Sequence, residues 1–290
     1  MSTIVERDII EYAKTLPDTS MQCIIADPPY NIGKDFGIST DNQKLGDYIK
    51  WCEEWIKECE RILTPTGTGF IYGFSEILAH LSVKLSLPHR WLIWHYTNKN
   101  TAGSNFWQRS HESIIVFWKD SKKRIFNEDE VREPYTETFL KNSAGKIRKG
   151  TKGRLSKNNT DTIYTANELG AKGRDVIKVP ALAGGAGAGE RIFFCHTCND
   201  IFIGNKRNHS DHEIIEHPTQ KPQKLTMKLL KSCLMKSDDR FLGSVYIPFA
   251  GSGSECLCCQ WIGVPFYSSD INPEYVRNGN LLLKKFPEAI

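Results

Sequence analysis

No stretch of the 290 residues is apolar for long enough to cross a bilayer as a helix, so a helical membrane anchor is not expected. The first residues, Met1-Ser2-Thr3-Ile4-Val5-Glu6-Arg7-Asp8, lack a basic region followed by an apolar core, so no secretory signal is expected either. Charge of one sign is scarce: 38 Lys and Arg stand against 34 Asp and Glu, a net charge of +4. The whole molecule therefore has no strong field, and a nucleic-acid partner has to be met by a local basic patch. The nine cysteines lack the even number of a disulfide framework, and Cys256, Cys258 and Cys259 lie almost side by side. A reducing, cytoplasmic setting follows as the expectation, with no membrane partner.

What is present is ordinary for a globular chain with a substantial core: 40% hydrophobic and 25% charged residues. Strands and helices alternate. Met21 to Ala26 reads as a buried strand, and Tyr48, Trp51, Cys52, Trp55, Ile56, Cys59 and Ile62 recur at helical spacing behind a capping Asp47. Both tryptophans are expected in the core. Gly69–Gly73, Trp91–Tyr96 and His111–Trp118 read as further strands, with a helix expected from Ser75 to Ser86. This pitch predicts an α/β, doubly wound, mostly parallel sheet.

The chemistry begins where the first buried strand stops. Asp27-Pro28-Pro29-Tyr30 cannot continue a sheet, because each proline lacks an N–H and fixes φ. A carboxylate, a free carbonyl and an aromatic ring therefore sit on one stiff loop at a strand's carboxyl end, where open α/β sheets bind ligands. By itself the stretch reads equally as a proline turn with a capping Asp.

Three later stretches add to it. His217-Pro218-Thr219-Gln220-Lys221-Pro222 is a rigid lead into a helix carrying Leu225, Leu229 and Leu230, with Pro222 suited to its first turn. Its turn can aim Thr219 and Lys221 at an anionic group. The run Phe241 to Ile247 reads as a strand, and Pro248-Phe249-Ala250-Gly251-Ser252-Gly253 follows it, where the glycines let backbone approach a ligand before a helix from Cys256 to Trp261. Seventeen residues beyond Gly253, after a strand read from Val264 to Ser268, lies Asp270, placed to accept ribose hydroxyls. A nicotinamide dehydrogenase also uses such a loop, but Cys256 stands where its third small residue belongs, and only 37 residues follow Gly253.

Taken in order, D-P-P-Y, a basic segment, H-P-T-Q-K-P and F-x-G-x-G resemble the β-class of S-adenosylmethionine-dependent DNA amino-methyltransferases, over roughly residues 4 to 118 and 217 to 286. The resemblance implies a permuted seven-stranded sheet of the class I methyltransferase type. It implies a catalytic half at 1–118, a target-recognition insertion at 119–216 and a cofactor-binding half at 217–290. It assigns Asp27, Pro28, Pro29 and Tyr30 to catalysis. To the cofactor it assigns Asp8, Asp27, His217, Thr219, Lys221, Phe249, Gly251, Ser252, Gly253 and Asp270, although Asp8 also reads as a plain helix cap. The polar loop from Asn31 to Gly37, with Asn31 and Lys34, is implied to close over DNA. One departure stands out: Ile247 occupies the place where the family usually has an acid.

The middle is unmatched. Between Lys141 and Arg174 nine basic residues face two acidic ones, among them Lys146, Arg148, Lys149, Lys152 and Arg154. A positive, loop-rich segment neutralises phosphates, so DNA contact is the functional reading and a solvated insertion the bland one. Ala181 to Gly189 is a small-residue linker. After it come Cys195-His196-Thr197-Cys198, Phe202, His209 and His212, a partial match to a zinc knuckle. Two readings stay open there: a structural Zn2+ site, or two thiols with surface histidines.

The expectation is thus a site-specific DNA methyltransferase that moves a methyl group from S-adenosylmethionine to the N6 amino group of adenine by base flipping and direct transfer. The N4 amino group of cytosine is the alternative. From another class comes a zinc-containing DNA-binding protein with an inactive methyltransferase fold. The resemblance adds double-stranded DNA, a homodimer and a cognate restriction endonuclease as partners, in a bacterial or phage-encoded restriction-modification setting.

Overall fold

The computed structural model describes residues 2–37, 41–98, 105–150, 160–183, 185–204, 209 and 211–287. It divides into two compact units, Met1–Phe126 with Asp175–Ile290, and Asn127–Arg174.

The larger unit opens with β1 (Ile4–Glu6), α1 (Ile9–Thr15), β2 (Met21–Ala26), α2 (Leu45–Ile62), β3 (Leu63–Gly73), α3 (Ser75–Ser82), β4 (His89–His95) and β5 (His111–Trp118). The smaller unit holds α4 (Glu137–Asn142) and an antiparallel pair, β6 (Ile147–Arg148) and β7 (Thr162–Ile163). The larger unit resumes with β8 (Val176–Lys178), β9 (Ile192–Cys195), β10 (Asp200–Ile203), β11 (Ile214–Ile215) and α5 (Gln223–Cys233). It ends with β12 (Met235–Ser237), β13 (Arg240–Leu242), β14 (Val245–Ile247), α6 (Ser254–Trp261), β15 (Phe266–Asp270) and α7 (Pro273–Lys285).

Eight strands form one sheet in the order β1-β15-β14-β2-β3-β5-β4-β8, and only β5 runs against its neighbours. The doubly wound, mostly parallel sheet is as expected, with one strand more than seven. The extra strand is β8, whose three residues are too few to show a period in the sequence. All six residues of β2 are buried, because helices cover both faces of a parallel sheet. Cys23 and Ile25 join the core beneath α5 and α6, while Ile24 and Ala26 pack with Cys52, Trp55, Ile56 and Cys59 of α2.

From β2 the chain crosses toward β3, and from β14 it crosses the other way, toward β15. The β2/β14 boundary is therefore the sheet's topological switch point, and the D-P-P-Y loop and the glycine loop leave its two strands side by side.

Several boundaries differ from the sequence reading. α2 begins at Leu45 behind Lys44, which puts Asp47 in the first turn, where its charge complements the helix dipole without capping it. α3 stops at Ser82, and Glu60 takes the N–H groups of Ser86 and Leu87 that a longer helix would have used. The run from Phe241 to Ile247 is two strands broken at Gly243 (φ +116°), where any Cβ would lie 2.6 Å from Gln22 Cβ. The 119–216 segment does not act as one body. Residues 127–174 form their own unit, whereas 175–216 supplies β8 to the main sheet and builds a three-stranded sheet, β10-β9-β11. Among the described residues no helix is long and apolar enough to cross a membrane.

Candidate active site at the ends of β2 and β14

The two prolines end β2 at Ala26, and Tyr48 on α2 donates a hydrogen bond to the Pro29 carbonyl (2.6 Å), fixing the turn from below. Asp27 and Tyr30 are thereby aimed at the lead of α5. Lys221 Nζ donates to Asp27 Oδ2 at 2.7 Å and to the Thr219 carbonyl at 3.1 Å, and it lies 3.7 Å from Glu112 Oε2. The Tyr30 hydroxyl lies 3.0 Å from Asp27 Oδ1 and 2.9 Å from Glu112 Oε2. A phenol has one proton, so it donates to one of these carboxylates at a time.

Burial dominates the electrostatics. By itself it would discharge Lys221, but Asp27 and Glu112 outweigh it and hold the ammonium above the ordinary lysine range. Burial pushes Asp27 upward against the pull of Lys221. Tyr30 is raised well above a free phenol by burial and then by the two carboxylates. Glu255, in the first turn of α6, is pushed up to about 7 by burial and then by Asp27. One ammonium thus answers three acids.

Two cavities of about 300 Å³ each meet at this cluster. Asp8, Asp27, Pro28, Pro29, Phe249, Gly251, Ser252, Glu255 and Asp270 line the first, and Tyr30, Lys34, Phe74, Trp94, Glu112 and Arg191 line the second. His217, Thr219, Gln220 and Lys221 line both. Gly253, expected beside them, instead caps α6 in a left-handed conformation (φ +78°) that shapes the loop's exit.

The first cavity fits S-adenosylmethionine by its donor chemistry. Asp8, Asp27, Asp41, Glu255 and Asp270 against Lys221 make it acidic, suited to a sulfonium and an ammonium. Ile247, where the resemblance leads one to expect an acid, is buried in β14, and Glu255 lines the cavity. Trp51, Phe249 and Tyr275 offer apolar walls for a flat ring. Trp51 was expected in the core; only Trp55 is fully buried there. Asp270 accepts from Gly251 N at 2.8 Å and Asn272 N at 2.9 Å, which leaves lone pairs on both oxygens toward the cavity. Gly251 (φ +49°) is a cradle that a side chain would fill, since a Cβ would meet His217 Nε2 at 2.9 Å. Burial, then Lys221, lowers the His217 pKa to about 3, so the ring is neutral and its Nδ1 accepts from Thr219 N. Asp8 caps α1 through Ile10 N and Glu11 N and also lines the cavity.

Asn31 is committed to its own loop, bonding both backbone groups of Gln43. Lys34 is exposed at the rim of the second cavity, and Lys146, Arg148 and Lys149 are exposed on the smaller unit. Lys152 and Arg154 lie outside the described residues. Cys195, Cys198, His209 and His212 converge, with ligand atoms all within 4.8 Å of one another. Sequence reasoning missed Glu112 and Glu255. In the sequence each is a single acid, at the start of β5 and in the first turn of α6, and only its neighbours in the fold give it meaning.

Comparison with known proteins bears on this geometry. Residues 21–281 match the N6_N4_Mtase family model, described as DNA methylase. The type II methyltransferase M.HpaI of Haemophilus parainfluenzae is 28% identical over 273 residues, covering 92% of this chain and 69% of that protein. The DNA adenine methyltransferase YhdJ of Escherichia coli K12 is 25% identical over 280 residues, covering 96% and 81%. Among solved structures, the cytosine-N4-specific PvuII DNA methyltransferase superposes with a TM-score of 0.60 at 12% identity, covering 96% of this chain and 86% of that one. A Thermus thermophilus protein solved in complex with S-adenosyl-L-methionine gives 0.54 at 16% identity, covering 98% and 94%. At these identities the structural likeness is one of fold.

Proposed function

This chain belongs to the N6/N4 DNA methylase family, and from that premise we propose that it methylates the N6 amino group of adenine in duplex DNA. The fold is of the class I methyltransferase type, and the activity is DNA methylation dependent on S-adenosylmethionine. In the family that the chain resembles, D-P-P-Y goes most with adenine N6 and S-P-P-Y most with cytosine N4, so Asp27 supports adenine, as does the adenine named for the E. coli relative.

The observation that carries the reading is the shared wall of the two cavities. Asp27, Pro28 and Pro29 face the first, Tyr30 faces the second, and Lys221 stands between them. When bound in the first, S-adenosylmethionine supplies an electrophilic methyl on a cationic sulfur. Tyr30, Phe74 and Trp94 give a base rotated into the second cavity apolar surfaces to lie against. An exocyclic amine is a poor nucleophile because its lone pair is delocalised into the ring. Each Asp27 oxygen keeps a lone pair beyond its bond to Lys221 or Tyr30, so Asp27 accepts an amine N–H and draws the nitrogen toward tetrahedral geometry. The Pro28 carbonyl takes the other N–H. Asp27 and Glu112 offset the positive charge that grows on the nitrogen as the methyl arrives.

The same reading extends to partners: duplex DNA as substrate, a cognate restriction endonuclease, and a second copy of the chain, in a bacterial or phage-infected cytoplasm. The test incubates the protein with labelled cofactor and unmethylated genomic DNA and maps the modified bases. N6-methyladenine at one sequence is expected. N4-methylcytosine overturns the choice of base, and cofactor binding with no transfer to any DNA overturns the activity.

A further inference from the structure

The β10-β9-β11 sheet carries a four-donor cluster that the methyl-transfer chemistry leaves unused. Cys195 Sγ and Cys198 Sγ are 3.0 Å apart, and His209 Nδ1 and His212 Nδ1 are 3.2 Å apart. His212 Nδ1 lies 3.3 Å from Cys195 Sγ and 3.4 Å from Cys198 Sγ, and His209 Nδ1 lies 3.4 Å from Cys198 Sγ. With Zn–S near 2.3 Å and Zn–N near 2.0 Å, a tetrahedron has edges of roughly 3.3 to 3.8 Å. Five of the six edges, at 3.0 to 3.4 Å, approach that size, and all four donor atoms lie within 4.8 Å of one another. The two rings present the same nitrogen and stand nearly perpendicular (79°). The ring of His209 lies flat on Phe202, centroids 4.3 Å apart and planes 4° apart, which fixes its aim. Four lone-pair donors converging on one point are all satisfied at once by a cation at that point.

We propose that Cys195, Cys198, His209 and His212 form a structural Zn2+ site that holds the lead of the His217–Pro222 turn in place. Four protein ligands complete the tetrahedron and leave no open position for substrate, so the metal is structural, not catalytic. Cys195 pairs in register with Ile214, and His217 follows three residues later. Arg191, next to β9, binds Glu216 at 2.5 Å, and Ile192 N donates to Gln220 Oε1 at 3.0 Å. The same sheet is tied to α7 by His196 to Glu274 (3.0 Å) and Asp200 to Lys285 (2.7 Å). The metal thus closes the Cys195 end of this small sheet, and the opposite end leads into the turn that carries Lys221. Zinc binding in such a module is folding free energy.

The test measures metal in the full-length protein, purified under reducing conditions, by elemental analysis. About one zinc per chain is expected. Cys195→Ser with Cys198→Ser, and separately His212→Ala, reduce it to background. His209→Cys keeps four ligands and keeps the zinc, which separates loss of a ligand from loss of fold. Co2+ exchanged into the parent gives the visible bands of a tetrahedral, thiolate-bound ion, and these change in His209→Cys. Chelation of the parent lowers its affinity for S-adenosylmethionine, and Zn2+ restores it. A parent that takes up no zinc when supplied with it, a Cys195–Cys198 disulfide in its place, or unchanged zinc content in the ligand variants overturns the proposal.

Discussion

Lys221 Nζ stands 2.7 Å from Asp27 Oδ2, although 194 residues separate the two in the chain. The contact joins the loop after β2 to the lead of α5 and seals the wall between the two cavities. A lysine only 2% exposed is costly to keep charged, and the facing carboxylates offset that cost. The consequences are measurable.

Asp27→Asn keeps the shape of the side chain and removes the charge that accepts the amine. Methyl transfer in a single turnover is expected to fall by about 10²- to 10⁴-fold, with S-adenosylmethionine affinity by calorimetry changed only a few-fold. Equal loss of binding and transfer would place Asp27 in cofactor binding alone.

Lys221→Met leaves Asp27 and Glu112 facing each other without a cation. Urea unfolding is expected to show a loss of roughly 3–5 kcal/mol at neutral pH. Adding Glu112→Gln to this variant should recover part of it. No recovery would mean that Glu112 contributes nothing to the repulsion.

Glu255 gives a pH signature. Burial first, then Asp27, raises its pKa from 4.5 to about 7, with Lys221 and Ser254 acting in the opposite direction. Between those two values the folded protein holds a proton that the unfolded chain has released. Stability from this group is therefore greatest below pH 4.5 and is lost as pH rises to 7, by on the order of 3 kcal/mol. Glu255→Gln should flatten that part of the stability profile. The cationic cofactor should bind the parent more tightly as pH passes upward through 7, and a pH-independent affinity would remove Glu255 from the site.

Replacing Lys146, Arg148 and Lys149 together with Ala tests the basic unit. The slope of log affinity for duplex DNA against log salt should become shallower by about 0.9 for each phosphate that is no longer neutralised. Turnover at saturating DNA should hold. An unchanged slope would make this segment a solvated surface.

Much of the site was legible because its parts are local. Two prolines stop a strand wherever they occur, and a glycine loop before a helix announces itself in four residues. Asp270 was placed by counting. By contrast, β8 is three residues long and Trp51 lies on an ordinary helical stripe, so neither periodicity nor composition distinguished the edge strand or the cavity wall. Glu112 and Glu255 were passed over because a single acid in a strand or a helix start has no meaning until its neighbours are known.

The sequence by itself determined the alternation of strand and helix, the strand end at Asp27, the order of the four motifs and the candidate metal ligands. These depend on backbone sterics and on spacing along one chain. Only the tertiary structure decided which charges share a space: that Lys221 answers Asp27, that Tyr30 is held between two carboxylates, that Glu255 lines the first cavity, and that two cysteines and two histidines meet at one point. Charge interactions depend on distance and burial in three dimensions, and neither is written in the spacing of residues.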